Sequence, residues 1–133
     1  MFYLEKKYSS EMISHARSEA PNECCGILAG VNGKAIKLYR TTNAEHSPVR
    51  YNVEPQELFH IYQEIDKRGW ELLGIYHSHP HSKAYPSATD IKYAFFPGSW
   101  YFIVSLSDPI QPAVRVFRIA NDKIEEQELK VVE

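Results

Sequence analysis

The sequence predicts an α+β fold: a mixed central sheet of about six to eight strands, flanked by two main helices and a short third one. Three observations predict it. Two segments carry apolar residues at helical spacing, several runs have strand character, and Gly, Pro and Asn breakers separate them at short intervals. At 133 residues the chain has about the length of one domain, so residues 1–133 are expected to share one core.

Ser9 or Ser10 is placed to cap a first helix running to about Ala20, with Met12, Ile13, Ala16 and Ala20 at helical spacing and Pro21 stopping it. Cys24 to Val31 is a nearly continuous apolar run. Asn32-Gly33 after it is the strongest short hairpin signal in the chain, so the run should pair with Lys34 to Arg40. Thr41 to Pro48 is polar and turn-rich, and Arg50 to Val53 reads as a short strand before Pro55 opens a second helix. In that helix Leu58, Ile61, Tyr62 and Ile65 fall at i, i+3, i+4 and i+7, and Gly69 ends it. Trp70 to Tyr76 reads as a central strand buried on both faces. Ser78 to Pro86 reads as a loop, followed by a short helix from Ser87 to about Phe96 and a Pro97-Gly98 break. Trp100 to Leu106, Ala113 to Ala120 and Lys123 to Val132 are strand-like, and Asn121-Asp122 suits a tight hairpin between the last two.

Composition narrows the function. Hydrophobic residues make up 44% and charged residues 24%, ordinary values for a globular chain. Net charge is -2 with Lys and Arg scattered, so a nucleic-acid partner has no electrostatic support. No stretch approaches the roughly 18 consecutive apolar residues of a membrane span, and no membrane partner is expected. The start, Met1 to Lys7, places Glu5, Lys6 and Lys7 before any apolar run, unlike a secretory signal. Cys24 and Cys25 are adjacent, where a bridge closes almost no loop and strains its own geometry. A cytoplasmic protein with free thiols is the expectation.

The chemistry gathers in His77-Ser78-His79-Pro80 and Ser87-Ala88-Thr89-Asp90. Alternation along an extended chain puts His77 and His79 on one side, where two imidazoles can meet one ion. Asp90, in the first turn of the next helix, can supply a third, anionic ligand. Two histidines and a carboxylate suit Zn2+ by ligand type, and they leave a fourth tetrahedral position for a bound water. Such a water still needs a proton acceptor nearby. The same Ser87-x-x-Asp90 is also a capping-box pattern, in which Asp90 only complements a helix N-terminus.

His77-x-His79, then Ser87-x-x-Asp90, with Pro21-Asn22-Glu23-Cys24-Cys25-Gly26 upstream, resembles the JAMM (MPN-plus) metallopeptidases over nearly the whole chain. The resemblance implies a JAB/MPN, cytidine-deaminase-like architecture with His77, His79 and Asp90 as zinc ligands. It also implies Glu23 as general base and Ser87 as a donor to the oxyanion; spacing alone does not single out Glu23. The short connection between the helix after Asp90 and Trp100 is similar to the compact bacterial Mec-type members. Supporting likeness lies in Tyr85-Pro86-Ser87, Ser105-Leu106, and Ser47-Pro48 with Tyr51 ahead of Glu54-Pro55. That branch implies a ubiquitin-like sulfur carrier protein with a Gly-Gly-type tail as partner, and release of cysteine or a short C-terminal extension. Arg50 and Tyr51 are implied contacts for the tail, with Arg50 to Val53 as an edge it could join.

Three alternatives stand beside this expectation. One is a closed structural zinc site in which Cys24 or Cys25 joins the histidines. Another is a non-catalytic interaction module of the same fold, which 13% aromatic content keeps open. A third is a JAMM peptidase acting on ubiquitin-like isopeptide conjugates. His81 reads as a loop histidine near the motif, His15 and His60 as helix residues, and His46 as a loop residue.

Overall fold

The computed structural model describes residues 1–96 and 98–133, so Pro97, half of the expected Pro97-Gly98 break, lies outside the described residues. The elements run β1 (Phe2–Glu5), α1 (Lys6–Glu19), β2 (Cys25–Val31), β3 (Lys34–Thr41), α2 (Pro55–Arg68) and β4 (Glu71–His79). They continue with α3 (Ala88–Lys92), β5 (Trp100–Ser105), β6 (Ala113–Ala120), β7 (Lys123–Gln127) and β8 (Leu129–Val132). Six strands form one mixed sheet in the order β3-β2-β4-β5-β6-β7, and β1 pairs in parallel with β8 in a second, two-stranded sheet. Within the larger sheet only β4 and β5 are parallel, and the connection between them carries α3. The α+β class with a mixed sheet, two main helices and a short one is therefore the observed architecture.

Local chemistry explains most boundaries. Asn32 and Gly33 both take positive φ (51° and 78°), as do Asn121 and Asp122 (51° and 61°). Both hairpins thus have the turn twist that short antiparallel connections favour. At α2 the Glu54 carboxylate accepts from Gln56 N–H at 2.9 Å and Glu57 N–H at 3.1 Å, Pro55 supplies a pre-set φ, and Gly69 closes the helix at φ 68°.

Other boundaries differ from expectation for reasons outside the local sequence. α1 starts at Lys6, not after Ser9 or Ser10, because β1 is held by register with β8 and delivers the chain directly into the helix. Ser9 lies inside the helix and donates back to the Lys6 carbonyl at 3.0 Å. The strand-like run Lys123 to Val132 divides at Glu128, with β7 pairing to β6 while β8 leaves for β1. The Arg50 to Val53 segment is not a strand. It meets the residues after β3 through an isolated Asn43–Val53 bridge, with Ala44 N–H donating to the Asn52 carbonyl, and its Arg50 carbonyl and Asn52 N–H bond the Asn43 side chain. β4 extends through His79, so both histidines stand on a paired strand. α3 stops at Lys92, and Phe96 N–H instead donates to the Tyr101 hydroxyl at 2.9 Å.

The large sheet is covered on both faces. Tyr8, Met12 and Ala16 of α1 pack on Leu28, Tyr76, Phe102 and Val116, and Phe2 and Leu4 of β1 extend that core. On the opposite face Ile61 and Ile65 of α2 pack on Cys25, Ile27 and Ala29, while Ile91 of α3 and Ala84 join Tyr101, Ile103 and Phe117. Each fully buried large apolar side chain here contributes roughly 1.5–3 kcal/mol. Tyr76 points toward α1, where its hydroxyl meets His15 Nδ1 at 2.7 Å. Alternation then sends His77 to the face of α2 and α3. Among the described residues no helix is long and apolar enough to cross a membrane.

Gly26 lies opposite Tyr76 in the β2–β4 register, and a Cβ there would meet the Tyr76 ring at 2.1 Å. Gly26→Ala must therefore displace a fully buried ring from its bond to His15. The expected cost is about 1–3 kcal/mol in urea unfolding, the range of overpacked cores.

Candidate metal centre

β4 builds the site from its last three residues. His77 is in register with Cys25 of β2 and Ile103 of β5, and His79 with Ser105 of β5. Both rings therefore project from a backbone held by neighbouring strands at the carboxyl end of β4, beside its parallel partner β5. Open sheets present ligands at such strand ends.

α3 brings the carboxylate back. Ser87 Oγ accepts from Asp90 N–H at 3.0 Å, and Asp90 Oδ2 accepts from Ser87 N–H at 2.9 Å, a complete capping box. The cap and the ligand reading are compatible, because the same Oδ2 also faces both rings. It lies 3.0 Å from His79 Nε2 and 3.1 Å from His77 Nε2, and the two Nε2 atoms are 3.2 Å apart. All three residues are buried.

The three inward atoms surround a point where a cation could sit. His79 Nδ1 is 2.8 Å from the Lys83 carbonyl, which can only accept, so that nitrogen carries the proton and the neutral ring turns a lone pair inward at Nε2. A tetrahedral cation with bonds of about 2.0–2.1 Å needs ligand atoms about 3.3 Å apart, close to the edges observed. The donor set of two imidazole nitrogens and one carboxylate oxygen, with a backbone carbonyl orienting one ring, fits zinc.

Electrostatics sharpen the roles. Burial pushes Asp90 upward, but His77, His79 and the Ser87 N–H outweigh it and hold the carboxyl well below its usual range. Burial keeps His77 neutral by lowering its pKa. For His79 burial also pulls downward, but its bonds to Asp90 and to the Lys83 carbonyl prevail and raise it. Glu23, two residues before β2, is only 3% exposed, and its Oε1 has no hydrogen-bond partner among the described residues. Burial, reinforced by the Asp90 charge and opposed by His79, raises its pKa to about 8.

The remaining candidates sort clearly. Tyr51 stacks on His77 with ring centroids 4.4 Å apart and 19° between planes, a contact the sequence did not reveal. Arg50, Tyr51, Val53, Tyr62, Asp90 and Phe96 are among the residues lining a pocket of about 510 Å³ next to the triangle. The group of ligand atoms lying within 4.8 Å of one another contains neither cysteine among the described residues. Burial raises both thiols to about 12, and Cys25 Sγ lies 3.2 Å from Thr41 Oγ1. His81, His46 and His60 are exposed, whereas His15 is committed to Tyr76.

A family model described as prokaryotic homologs of the JAB domain matches residues 5–120. The chain belongs to the prokaryotic JAB family. This JAB-domain chain is 37% identical over 124 residues to a CysO-cysteine peptidase of Mycobacterium tuberculosis, covering 92% of this chain and 85% of that protein. It is 39% identical over 101 residues to a desampylase of Haloferax volcanii, covering 71% and 73%. The solution structure of protein DSY2949 from Desulfitobacterium hafniense superposes with a TM-score of 0.89 at 37% identity, covering 100% of this chain and 94% of that one. A structure described as a JAMM metalloprotease-like zinc site in the proteasome and signalosome shares the fold at a TM-score of 0.66 and 21% identity, over 100% and 99% of the two chains. The JAMM/MPN resemblance and its architecture thus hold.

Replacing both thiols, Cys24→Ser with Cys25→Ser, should leave one zinc per chain by native mass spectrometry, whereas His77→Ala or Asp90→Ala should abolish it. In metal-free protein, Glu23 ordinarily titrates near 4.5 and in the fold near about 8, so folded stability is lost as pH rises through that interval. Glu23→Gln should remove this loss. The variant should exceed the parent by a few kcal/mol above about pH 8 and match it below about pH 4.5, read by denaturant unfolding in chelator.

Proposed function

We propose that this JAB-domain protein is a zinc-dependent peptidase that hydrolyses the C-terminal peptide bond of a ubiquitin-like sulfur carrier protein, releasing cysteine or a short extension. The observation that carries the proposal is the convergence of His77 Nε2, His79 Nε2 and Asp90 Oδ2, with a buried Glu23 that feels the charges of Asp90 and His79 and whose Oε1 has no partner among the described residues. The names of the mycobacterial and haloarchaeal relatives, one a CysO-cysteine peptidase and one a desampylase, support a ubiquitin-like partner.

His77, His79 and Asp90 would hold Zn2+, which would supply Lewis acidity and acidify the attacking water toward a pKa of about 7. Glu23 takes a proton from the attacking water and later hands it to the leaving amine. Its Oε1 has no competing partner among the described residues, which leaves it free to accept that proton and return it. Ser87 Oγ accepts from Asp90 N–H, which leaves its own hydrogen to be donated to the developing oxyanion. The Lys83 carbonyl holds the His79 tautomer, and the Tyr51 ring holds the plane of His77. The pocket beside Asp90, walled by Arg50 and Tyr51, receives the extended Gly-Gly-type tail.

A second reading, cleavage of isopeptide conjugates of a ubiquitin-like protein, has the haloarchaeal desampylase relative in its favour. Mass measurement separates the two. Zinc-loaded protein incubated with a carrier–cysteine adduct should yield carrier lighter by one cysteine residue, and an unchanged mass sinks the proposal. A lysine-linked conjugate included in parallel reports the second reading. Glu23→Gln should retain zinc yet lose about 10²–10⁴-fold in kcat, the range of a positioned proton-transfer group.

A further inference from the structure

Asn43 follows β3 and is buried, 4% exposed, and its carboxamide uses every bond it can make. Its Nδ2 donates to the Glu23 carbonyl at 3.0 Å and to the Arg50 carbonyl at 3.0 Å. Its Oδ1 accepts from Glu45 N–H at 3.0 Å and from Asn52 N–H at 3.1 Å. One side chain thus joins the residue that carries the candidate base to both ends of the segment that walls the pocket. Among the described residues no other side chain hydrogen-bonds both parts.

The consequence for Glu23 is tight. Its carbonyl is held by Asn43, and its N–H donates to the Ser47 carbonyl at 2.8 Å, so both of its backbone polar groups are tied to the same segment. The next residue is tied to β4 instead. Cys24 N–H donates to Ser78 Oγ at 2.8 Å, and Ser78 N–H donates to the Cys24 carbonyl at 3.1 Å, between the two histidines. The Glu23 backbone is therefore suspended between the β4 strand and the 43–53 segment. That segment also carries Tyr51, whose ring lies on His77.

We propose that Asn43 is a positioning residue that registers Glu23 against the His77–His79–Asp90 group and keeps the Tyr51 wall in step with it. This rests on the peptidase reading for its kinetic consequence but not for its structural one. The three ligands sit on β4 and α3 and make no bond to Asn43, so metal binding and base placement should separate. A misplacement of about 1 Å in a reacting group costs about 10²-fold in rate.

The test is a double-mutant cycle on zinc-loaded full-length chain with the carrier adduct, using Asn43→Ala and Glu23→Gln. Asn43→Ala should retain zinc with a Kd within about threefold of the parent and lose about 10²-fold in kcat. In the Glu23→Gln background the same change should cost less than about threefold, because the group it positions has already lost its function. An equal loss in both backgrounds overturns the proposal, and so does a parallel loss of zinc. Should Asn43→Ala not fold, Asn43→Asp keeps the shape and both accepted bonds, loses the donation to Glu23, and carries the same cycle. If the parent protein cleaves nothing, the peptidase reading fails, and crystal structures of zinc-loaded parent and Asn43→Asp decide the positioning role. Glu23 displaced by about 1 Å with the three ligands in place supports it. Glu23 superposed on the parent overturns it.

Discussion

The pairing of β4 on both sides, to β2 and to β5, is the constraint on which the rest of the structure depends. It holds His77 and His79 at a two-residue spacing on a strand that cannot rotate, and it sends Tyr76 to the opposite face to lock against α1. Were these residues on a free loop, holding two imidazoles and a carboxylate together would cost the conformational entropy of ordering them. The sheet denies them that freedom, and the approach to about 3 Å follows. A cation-binding geometry is the result of backbone pairing first and ligand chemistry second.

The cost of the arrangement is concentrated in a few buried polar groups. His77 Nδ1 and Glu23 Oε1 are buried without partners among the described residues, and each forfeits solvation that a bond would otherwise restore. Around them several groups are fully bonded: the capping box of Ser87 and Asp90, the carbonyl behind His79, and the four bonds of Asn43. Saturated neighbours keep the unsatisfied pair from relaxing toward each other or toward water. This pattern is expected where reactivity is retained at the expense of stability.

Much of the site was legible because its signals are local. His77, His79 and Asp90 follow from alternation along a strand and the first turn of a helix, and the hairpins at Asn32-Gly33 and Asn121-Asp122 follow from residues that tolerate positive φ. Glu23 was legible only through family resemblance, since many acids occupy strand starts and nothing adjacent marks this one. Ser78 and Asn43 left no signal at all. One looks like a spacer between ligands, the other like an ordinary turn residue, and both act through contacts across 20 to 54 residues of chain.

By itself, then, the sequence determined the two main helices, the two hairpins and the family, and offered His77, His79 and Asp90 as candidate ligands, because periodicity, turn chemistry and motif spacing act over a few residues. Tertiary structure alone decided that β1 exists, that β8 leaves the main sheet to meet it, and that Arg50 to Val53 is a wall held by a side chain and not a strand. It also decided that His77, His79 and Asp90 converge on one point, with the buried Glu23 close enough to feel the charges of Asp90 and His79. These are long-range pairings, settled by which buried donors and acceptors find partners once the sheet has formed, and no local pattern encodes that outcome.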